Sequence, residues 1–405
     1  MNPDAAPNSP SANYSPVAPE VLTDPFPAYA ELRRACPVHQ GDDLGAPLYT
    51  LSRRQDLAAA LPDHRLWSNR QGPGVQRSTA GQGDMQHDDP PEHDRRRLFA
   101  RDWFLPRRVA ALEPTLAALA GSIVSTLRPK GRADLYGEYA LPLPVTSFCA
   151  IMGVTIADRD QFVHWADEMT IGMTYPERGA QARRDLTRFT AGEVQRRRAR
   201  AAAGEPLPDG LLSHLATDPY TDDGQPMPAE EVVGMVNQLL IAGHETTTSL
   251  ITNLVWRLLE ERGARWERVV ADPGLIPQAV EESLRFDPPV LGLCRTNNRD
   301  VRLHDVDVPA ESKVMFLYAS ANRDDETFEA PDEFRVDRPL PESMRHFSFS
   351  WGIHHCLGAH LARLTGRVAL GVLVAELPEL RLDGAPTRVP APFLWGRKSL
   401  PVAWD

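Results

Sequence analysis

Phe349-Ser350-Trp351-Gly352-Ile353-His354-His355-Cys356-Leu357-Gly358-Ala359-His360 holds a cysteine between two glycines, behind an aromatic residue. An apolar helical pattern follows through Leu361, Ala362 and Leu364. A cysteine at a helix N-terminus gains from the positive end of the dipole, which favours the thiolate and suits a metal. Gly352 and Gly358 allow a tight turn and a close approach of the backbone to a flat ligand. Elsewhere a lone cysteine is often a small buried hydrophobe. The cluster His354, His355, Cys356 and His360 also suits zinc on local grounds. No Cys-x-x-Cys occurs, and Cys36, Cys149 and Cys294 stand apart, so the rest of the chain has to decide.

The longest helical pattern opens after Pro228 with Ala229-Glu230-Glu231, which puts acids in the first turn. It runs to about Glu261, a length of roughly 50 Å. Its middle, Ile241-Ala242-Gly243-His244-Glu245-Thr246-Thr247-Thr248, is poor helix material. Threonine hydroxyls that bond back to carbonyls bend a helix, so a locally opened helix with a groove is expected here. An acid beside an alcohol suits proton delivery. Further on, Glu282-Ser283-Leu284-Arg285 sets an acid and a base at i and i+3 on one helix face. His93 and Arg97 stand at i and i+4 behind Pro90-Pro91, and Arg295 follows Pro288-Pro289-Val290-Leu291-Gly292-Leu293-Cys294.

Taken in order, these motifs resemble the cytochrome P-450 family. Phe349, Gly352, Cys356 and Gly358 match its Phe-x-x-Gly-x-x-x-Cys-x-Gly loop. Ala242, Gly243, Glu245, Thr246 and Thr247 match its central-helix pattern, and Glu282 with Arg285 its Glu-x-x-Arg pair, with Arg338 as third partner. The likeness runs from about Asp24 to Val402. Ser350 departs from the glycine often found there and is expected to stiffen the loop slightly.

The resemblance implies that the thiolate of Cys356 ligates the iron of haem b, iron protoporphyrin IX. Phe349, Gly352, Gly358 and Ala242 would lie against the haem. His93, Arg97, Arg295 and His354 would hold its propionates. Thr246 would bond to bound oxygen, and Glu245 would relay protons. The implied reaction is monooxygenation, one oxygen atom of O2 entering a C–H bond. A peroxide-driven hydroxylase and a haem sensor without turnover are the alternatives, and the Glu245-Thr246 pair argues against both. Ile241, Ala242, Leu291, Leu293, Phe393 and Leu394 would line the pocket, under a lid formed by Gln71–Met85 and Met169–Tyr175. That lining favours a small hydrophobic substrate such as a terpenoid, steroid, fatty acyl or aromatic compound. Electrons would come from a separate ferredoxin or flavodoxin with its NAD(P)H-dependent reductase. The basic cluster Arg95, Arg96, Arg101, Arg107 and Arg108 is the expected docking face.

The 405 residues carry a net charge of -11, which gives no global field for nucleic acid. No apolar run is long enough to span a bilayer, and four scattered cysteines fit a reducing cytoplasm. A bacterial, soluble, monomeric enzyme without a membrane anchor is expected. Residues 1–20, rich in Pro, Ser, Asn and Ala, read as a disordered tail without a signal peptide, and 21–405 as a single catalytic domain. The expected fold is mainly α with small β-sheets, a triangular helical domain plus a smaller β-rich region. Helices are expected over 109–128 and 183–203, and strands at Pro47–Ser52, Val301–Val308, Lys313–Tyr318 and, around a Gly396 turn, Phe393–Trp404.

Overall fold

The computed structural model describes residues 14–42, 44–78, 83–155, 159–172, 176–389 and 391–405. The helix Ala229–Leu259, 31 residues long, spans roughly 46 Å and organises the rest. Its first half sends Val232, Met235, Val236 and Leu240 into a cluster with Phe162, Trp165, Leu186 and Leu211. Its second half sends Leu250, Ile251, Leu254, Val255 and Leu258 into another, with Val280, Leu284, Leu370 and Leu373. Spacings of three and four keep these side chains on shared stripes. Ala242 and Gly243 fall between the two clusters and are exposed at mid-helix.

A five-stranded sheet lies apart from this helical mass, in the order Val38–Gly41, Leu48–Leu51, Lys313–Phe316, Leu293–Asn297 and Trp67–Ser68. The strand Leu48–Leu51 runs parallel to Lys313–Phe316, and Arg295 stands opposite Val314. The mainly helical architecture with small sheets is as expected, and several boundaries differ. The helix expected over 109–128 breaks into Pro106–Ala110 and Glu113–Leu127, because Pro114 has no N–H to continue the ladder and is tolerated only in a first turn. The helix expected over 183–203 starts earlier, at Pro176, and ends at Ala202. The long helix ends at Leu259, where Glu260 turns extended. Lys313–Phe316 is strand, but Tyr318 already begins a helix. Val301–Leu303 and Val306–Val308 form a hairpin. Gly396 does not turn a hairpin within 393–404. Arg397–Ser399 pairs with Thr387–Arg388, and Pro401–Ala403 pairs with Arg132–Asp134 and Arg381–Leu382. The tail expected over 1–20 is packed by Tyr14, whose ring is buried against Tyr29 and His39, and Pro19–Thr23 is helical. Residues 1–13 lie outside the described residues.

One polar knot ties the end of the helix Ile276–Phe286 to the chain leading into the cysteine loop. Glu282 accepts from Arg285 at 2.7 and 2.8 Å and from Arg338 Nε at 3.0 Å. All three side chains are fully buried. Arg285 also donates to the carbonyls of Asn322, Pro331 and Glu333, and Arg338 to those of Glu329, Ala330 and Glu333. A buried pair contributes little net energy, but removing one member strands the other charge at a cost of about 3–5 kcal/mol. Arg285→Ala is therefore expected to lower the urea midpoint by most of the protein's stability. A midpoint within a tenth of the wild-type value would show that the knot is dispensable.

Candidate active site

Cys356 sits in a loop closed by two backbone bonds, Cys356 N–H to Phe349 O at 2.8 Å and Ser350 N–H to Phe347 O at 2.7 Å. Ser350 adopts φ +59°, a region that favours glycine, and its Oγ accepts from the Tyr318 hydroxyl at 3.3 Å. Gly352, at φ +74°, is needed for protein packing, because a Cβ there would stand 2.7 Å from Leu61 O. That differs from its expected place against a ligand. A Cβ at Gly358 would meet only Cys356 Sγ, at 3.9 Å, so this glycine keeps the space beside the sulfur free. Cys356 is accessible to a water-sized probe, yet it lies deep in the protein. Burial raises its thiol pKa, against the opposing pull of the Gly358 N–H, Arg97 and Arg363. The expected helix-dipole gain is outweighed by this desolvation.

Around His354 the structure gathers positive charge, and exposed Asp94 meets its member His93, Nδ1 to Oδ1, at 2.9 Å. His354 is desolvated, and its pKa is pushed well down by burial and then by Arg295, His93, Arg97 and His64. The rings of His93 and His354 lie 4.4 Å apart. His354 Nε2 is buried with no hydrogen-bond partner. Arg295 is buried and donates to Cys294 O, and Arg97 donates to His355 O at 2.6 Å. Neither has a carboxylate oxygen within 4.0 Å among the described residues. Buried cations and an orphaned ring nitrogen are costly unless they meet an anion. The two carboxylates of a haem fit this donor set, and the accessible thiol and the missing Cβ at Gly358 fit its iron and face. His64, on a turn, belongs to this cluster, and no motif pointed to it.

The long helix stays α-helical through Ile241–Thr248, so the expected local opening is absent. Thr246 Oγ1 donates to Ala242 O at 2.6 Å and Thr248 Oγ1 to His244 O at 2.9 Å, which satisfies both hydroxyls without breaking the ladder. Glu245 faces the buried side. Its oxygens accept from Tyr136 OH at 3.1 Å and Ser249 Oγ at 3.0 Å, and Lys398 Nζ lies 3.6 Å away. Lys398 also bonds Tyr136 OH, and Asp167 at 3.0 Å. His244 reaches the same Asp167 oxygen at 3.2 Å. Burial would raise the Asp167 pKa, but His244 and Lys398 outweigh it and hold it low. Asp167, His244 and Glu245 are spaced for a metal ion, yet the Lys398 ammonium already supplies the cation. No hydrogen bond joins the expected pair Glu245 and Thr246. Tyr136 and Lys398 were not foreseen, because they meet Glu245 only through tertiary packing; Ser249 stands one turn on along the same helix, a spacing of four that the sequence did offer.

Of the expected pocket residues, Ile241, Leu293 and Phe393 keep partial exposure and Ala242 is exposed. Leu394 is buried and bridges to Val290. Leu291 is a core residue among Tyr29, Leu32 and Trp395, in the irregular stretch before the strand Leu293–Asn297, whereas Val290 and Leu293 pack against the cluster of Tyr49 and Phe316. In the expected lid, Met85 and Met169 are buried core residues, while 79–82 and 173–175 lie outside the described residues. Arg96 leaves the expected basic patch, since it is buried in ion pairs with Asp88 at 2.7 Å and Glu231 at 2.9 Å.

A protein-family model described as Cytochrome P450 matches residues 272–378. The vitamin D(3) 25-hydroxylase of Pseudonocardia autotrophica is 38% identical over 366 residues, 89% of this chain and 88% of that protein. The steroid C26-monooxygenase of Mycolicibacterium smegmatis is 33% identical, over 87% of this chain and 88% of that one. Among solved structures, P450BioI, crystallised with a fatty-acyl-ligated acyl carrier protein, superposes with a TM-score of 0.84 at 28% identity, covering 95% of this chain and all (100%) of that one. CYP109E1 of Bacillus megaterium, solved with testosterone, superposes with a TM-score of 0.82 at 29% identity, covering 94% and 99%. The chain belongs to the cytochrome P-450 family. It is a monooxygenase of that haem-thiolate class, with bacterial relatives. No single helix among the described residues is long and apolar enough to cross a membrane.

The loop phenylalanine is braced from behind. Arg363 lies over the Phe349 ring, 4.5 Å from its centre, and Glu281 holds Arg363 at 2.5 Å and His346 at 3.2 Å. Burial would raise the Glu281 pKa, but His346 and Arg363 overcome it and bring the value from 4.5 to about 2. A depressed carboxylate stabilises the fold above its unfolded pKa, and that contribution is lost as pH falls from 4.5 toward 2. Burial holds the His346 pKa below its ordinary 6.5, so its protonation destabilises in the same direction. Unfolding followed from pH 7 to pH 3 should show an acid loss that shrinks in Glu281→Gln by about 2 kcal/mol. Parallel pH curves for the two proteins would discard this account.

Proposed function

We propose that this enzyme hydroxylates an aliphatic C–H bond of a hydrophobic substrate of steroid size, using haem b, O2 and electrons from a separate ferredoxin and reductase. The observation that carries the cofactor assignment is the orphaned His354 Nε2 together with Arg295 and Arg97, which have no carboxylate partner among the described residues, beside an accessible, deep thiol. The substrate class is supported by the partly open apolar side chains Ile241, Leu293 and Phe393, and by the names of two relatives, a vitamin D(3) hydroxylase and a steroid monooxygenase.

In this reading Cys356 Sγ ligates the iron, and His354 Nε2, Arg97 and Arg295 bind the propionates. The bound haem-thiolate supplies dioxygen activation for insertion of one oxygen atom. The residues do the positioning. Ala242 and Gly243, small and exposed at mid-helix, leave room above the ring. The Thr246 proton is engaged by Ala242 O, so its oxygen offers lone pairs and accepts from a protonated guest. Protons reach Glu245 from the surface by way of Asp167, Lys398 and Tyr136, since Lys398 and Asp167 are part-exposed and Glu245 is not. Glu245 then rotates from Tyr136 and Ser249 toward Thr246 to release a proton.

Arg101, Arg107 and Arg108, with exposed Leu98, Leu105 and Trp351, form the docking face for an acidic electron donor. Arg97 joins their segment to the cysteine loop. The protein is read as a cytoplasmic monomer built on one catalytic domain, which takes in the packed residues from Tyr14 onward.

Carbon monoxide added to dithionite-reduced protein should give a strongly red-shifted Soret band, lost in Cys356→Ala; a band at the position of histidine-ligated haem would refute the thiolate assignment. Thr246→Ala should keep that band while diverting most electrons to hydrogen peroxide, and Thr246→Ser should restore coupling. Lys398→Met should lower kcat about tenfold and enlarge the solvent isotope effect. An unchanged isotope effect would remove Lys398 from the proton route. Steroids should shift the ferric spin state and fatty acids should not; the reverse order would overturn the substrate class.

A further inference from the structure

A second concavity, of about 820 Å³, opens between the helix Phe26–Ala35, the end of the long helix at Trp256 and Arg257, and the segment 386–397. Four arginines line it, Arg257, Arg323, Arg388 and Arg397. Their flat guanidiniums lie on aromatic faces. Arg397 stacks 3.5 Å from the centre of the Trp256 ring and 4.7 Å from that of Trp395. Arg388 covers Trp395 at 4.7 Å. Arg323 lies 3.5 Å from Phe26 and 3.6 Å from Phe286.

The acids nearby are already used. Buried Asp287 binds Arg257 at 2.5 Å and the Trp395 indole N–H at 2.8 Å, with Arg323 at 3.9 Å. Glu260 binds Arg257 at 2.9 Å. Asp332, at the rim, stands 3.5 Å from Arg323, and Asp24 accepts the Phe26 N–H. Arg388 and Arg397 are left with no carboxylate oxygen within 4.0 Å among the described residues. Among the described residues Arg388 donates to the carbonyls of Ala391 and Leu394 alone, at 3.3 Å each, and its Nε is without a partner there. Arg397 is 5% exposed, and its Nε also has no partner. Burial, with Arg257 and Arg388 beside it, brings its guanidinium pKa down to about 10 against the pull of the more distant Asp287 and Glu260.

We propose that this groove is a second ligand site, taking a small organic carboxylate whose head is forked by Arg397 and Arg388 and whose apolar body lies along Leu22, Pro27, Ala30 and Pro386. Guanidinium edges match a carboxylate in two parallel bonds. The apolar lining selects an apolar body over a hydrated inorganic anion. The groove shares no residue with the cluster around Cys356 and His354, so the inference stands apart from the catalytic reading.

The test is a fluorine NMR titration of the haem-loaded enzyme with 6-fluoro-2-naphthoate, with its neutral amide and inorganic phosphate as controls. The haem absorption band is recorded in the same samples. Saturable binding of the carboxylate alone, with the haem band unmoved, is expected. Arg397→Gln should weaken it at least tenfold. Arg388→Gln, a half-buried position that the fold tolerates more easily, should do the same. Equal binding of the amide, tight binding in Arg388→Gln, no saturation by 10 mM or so, or a haem-band shift that tracks the titration would each overturn the assignment.

Discussion

Two oxygens of Glu282 carry more of this architecture than any hydrophobic contact does. They hold Arg285 and Arg338, and through those arginines a run of backbone carbonyls between Asn322 and Glu333. Asn322 in turn accepts the Phe347 N–H and donates to Ser348 Oγ, which donates to Leu284 O. The segment feeding the cysteine loop is irregular, and irregular backbone cannot satisfy itself inside a protein. The buried guanidiniums do that work, each spreading one charge over several carbonyls. The loop that aims Cys356 inherits its position from this knot.

A second asymmetry follows from charge. The buried carboxylates Asp287 and Glu281 are each paired with two cations or a cation and a histidine. Around His354 the order is reversed: Arg295 is buried and neither it nor Arg97 has a carboxylate partner among the described residues. Such an imbalance is paid for elsewhere in the fold, and it is tolerable only where an anion is bound in the working protein. The same reasoning separates the Asp167, His244 and Glu245 group, whose charge is already balanced by Lys398, from a true metal site.

Much of this was legible in the chain because the chemistry demands contiguous residues. The loop from Phe349 to Gly358, the helix centre at Ala242–Thr247 and the pair Glu282 and Arg285 each sit within one turn or one loop, so spacing exposes them. What stayed hidden arrives from far away. His64 reaches His354 from a turn, and Lys398 reaches Glu245 from a short strand. Arg96 looked like a surface cation until Asp88 and Glu231 closed over it. Leu291 and Leu293 look alike in sequence, and what separates them is that the strand begins only at Leu293, leaving Leu291 in irregular backbone packed against Tyr29 and Trp395. Pro114 could have been read as a helix start, which would have split the pattern over 109–128.

The position of Lys398 also bears on how the chain comes into being. Synthesis runs from the N-terminus, and the helix Ala229–Leu259 leaves the ribosome well before the strand Arg397–Ser399. In that interval Glu245 has the hydroxyls of Tyr136 and Ser249 but no cation. A carboxylate in that state favours water or a proton over burial. The charge at the centre of the catalytic helix is thus completed by one of the last residues of the chain to be made.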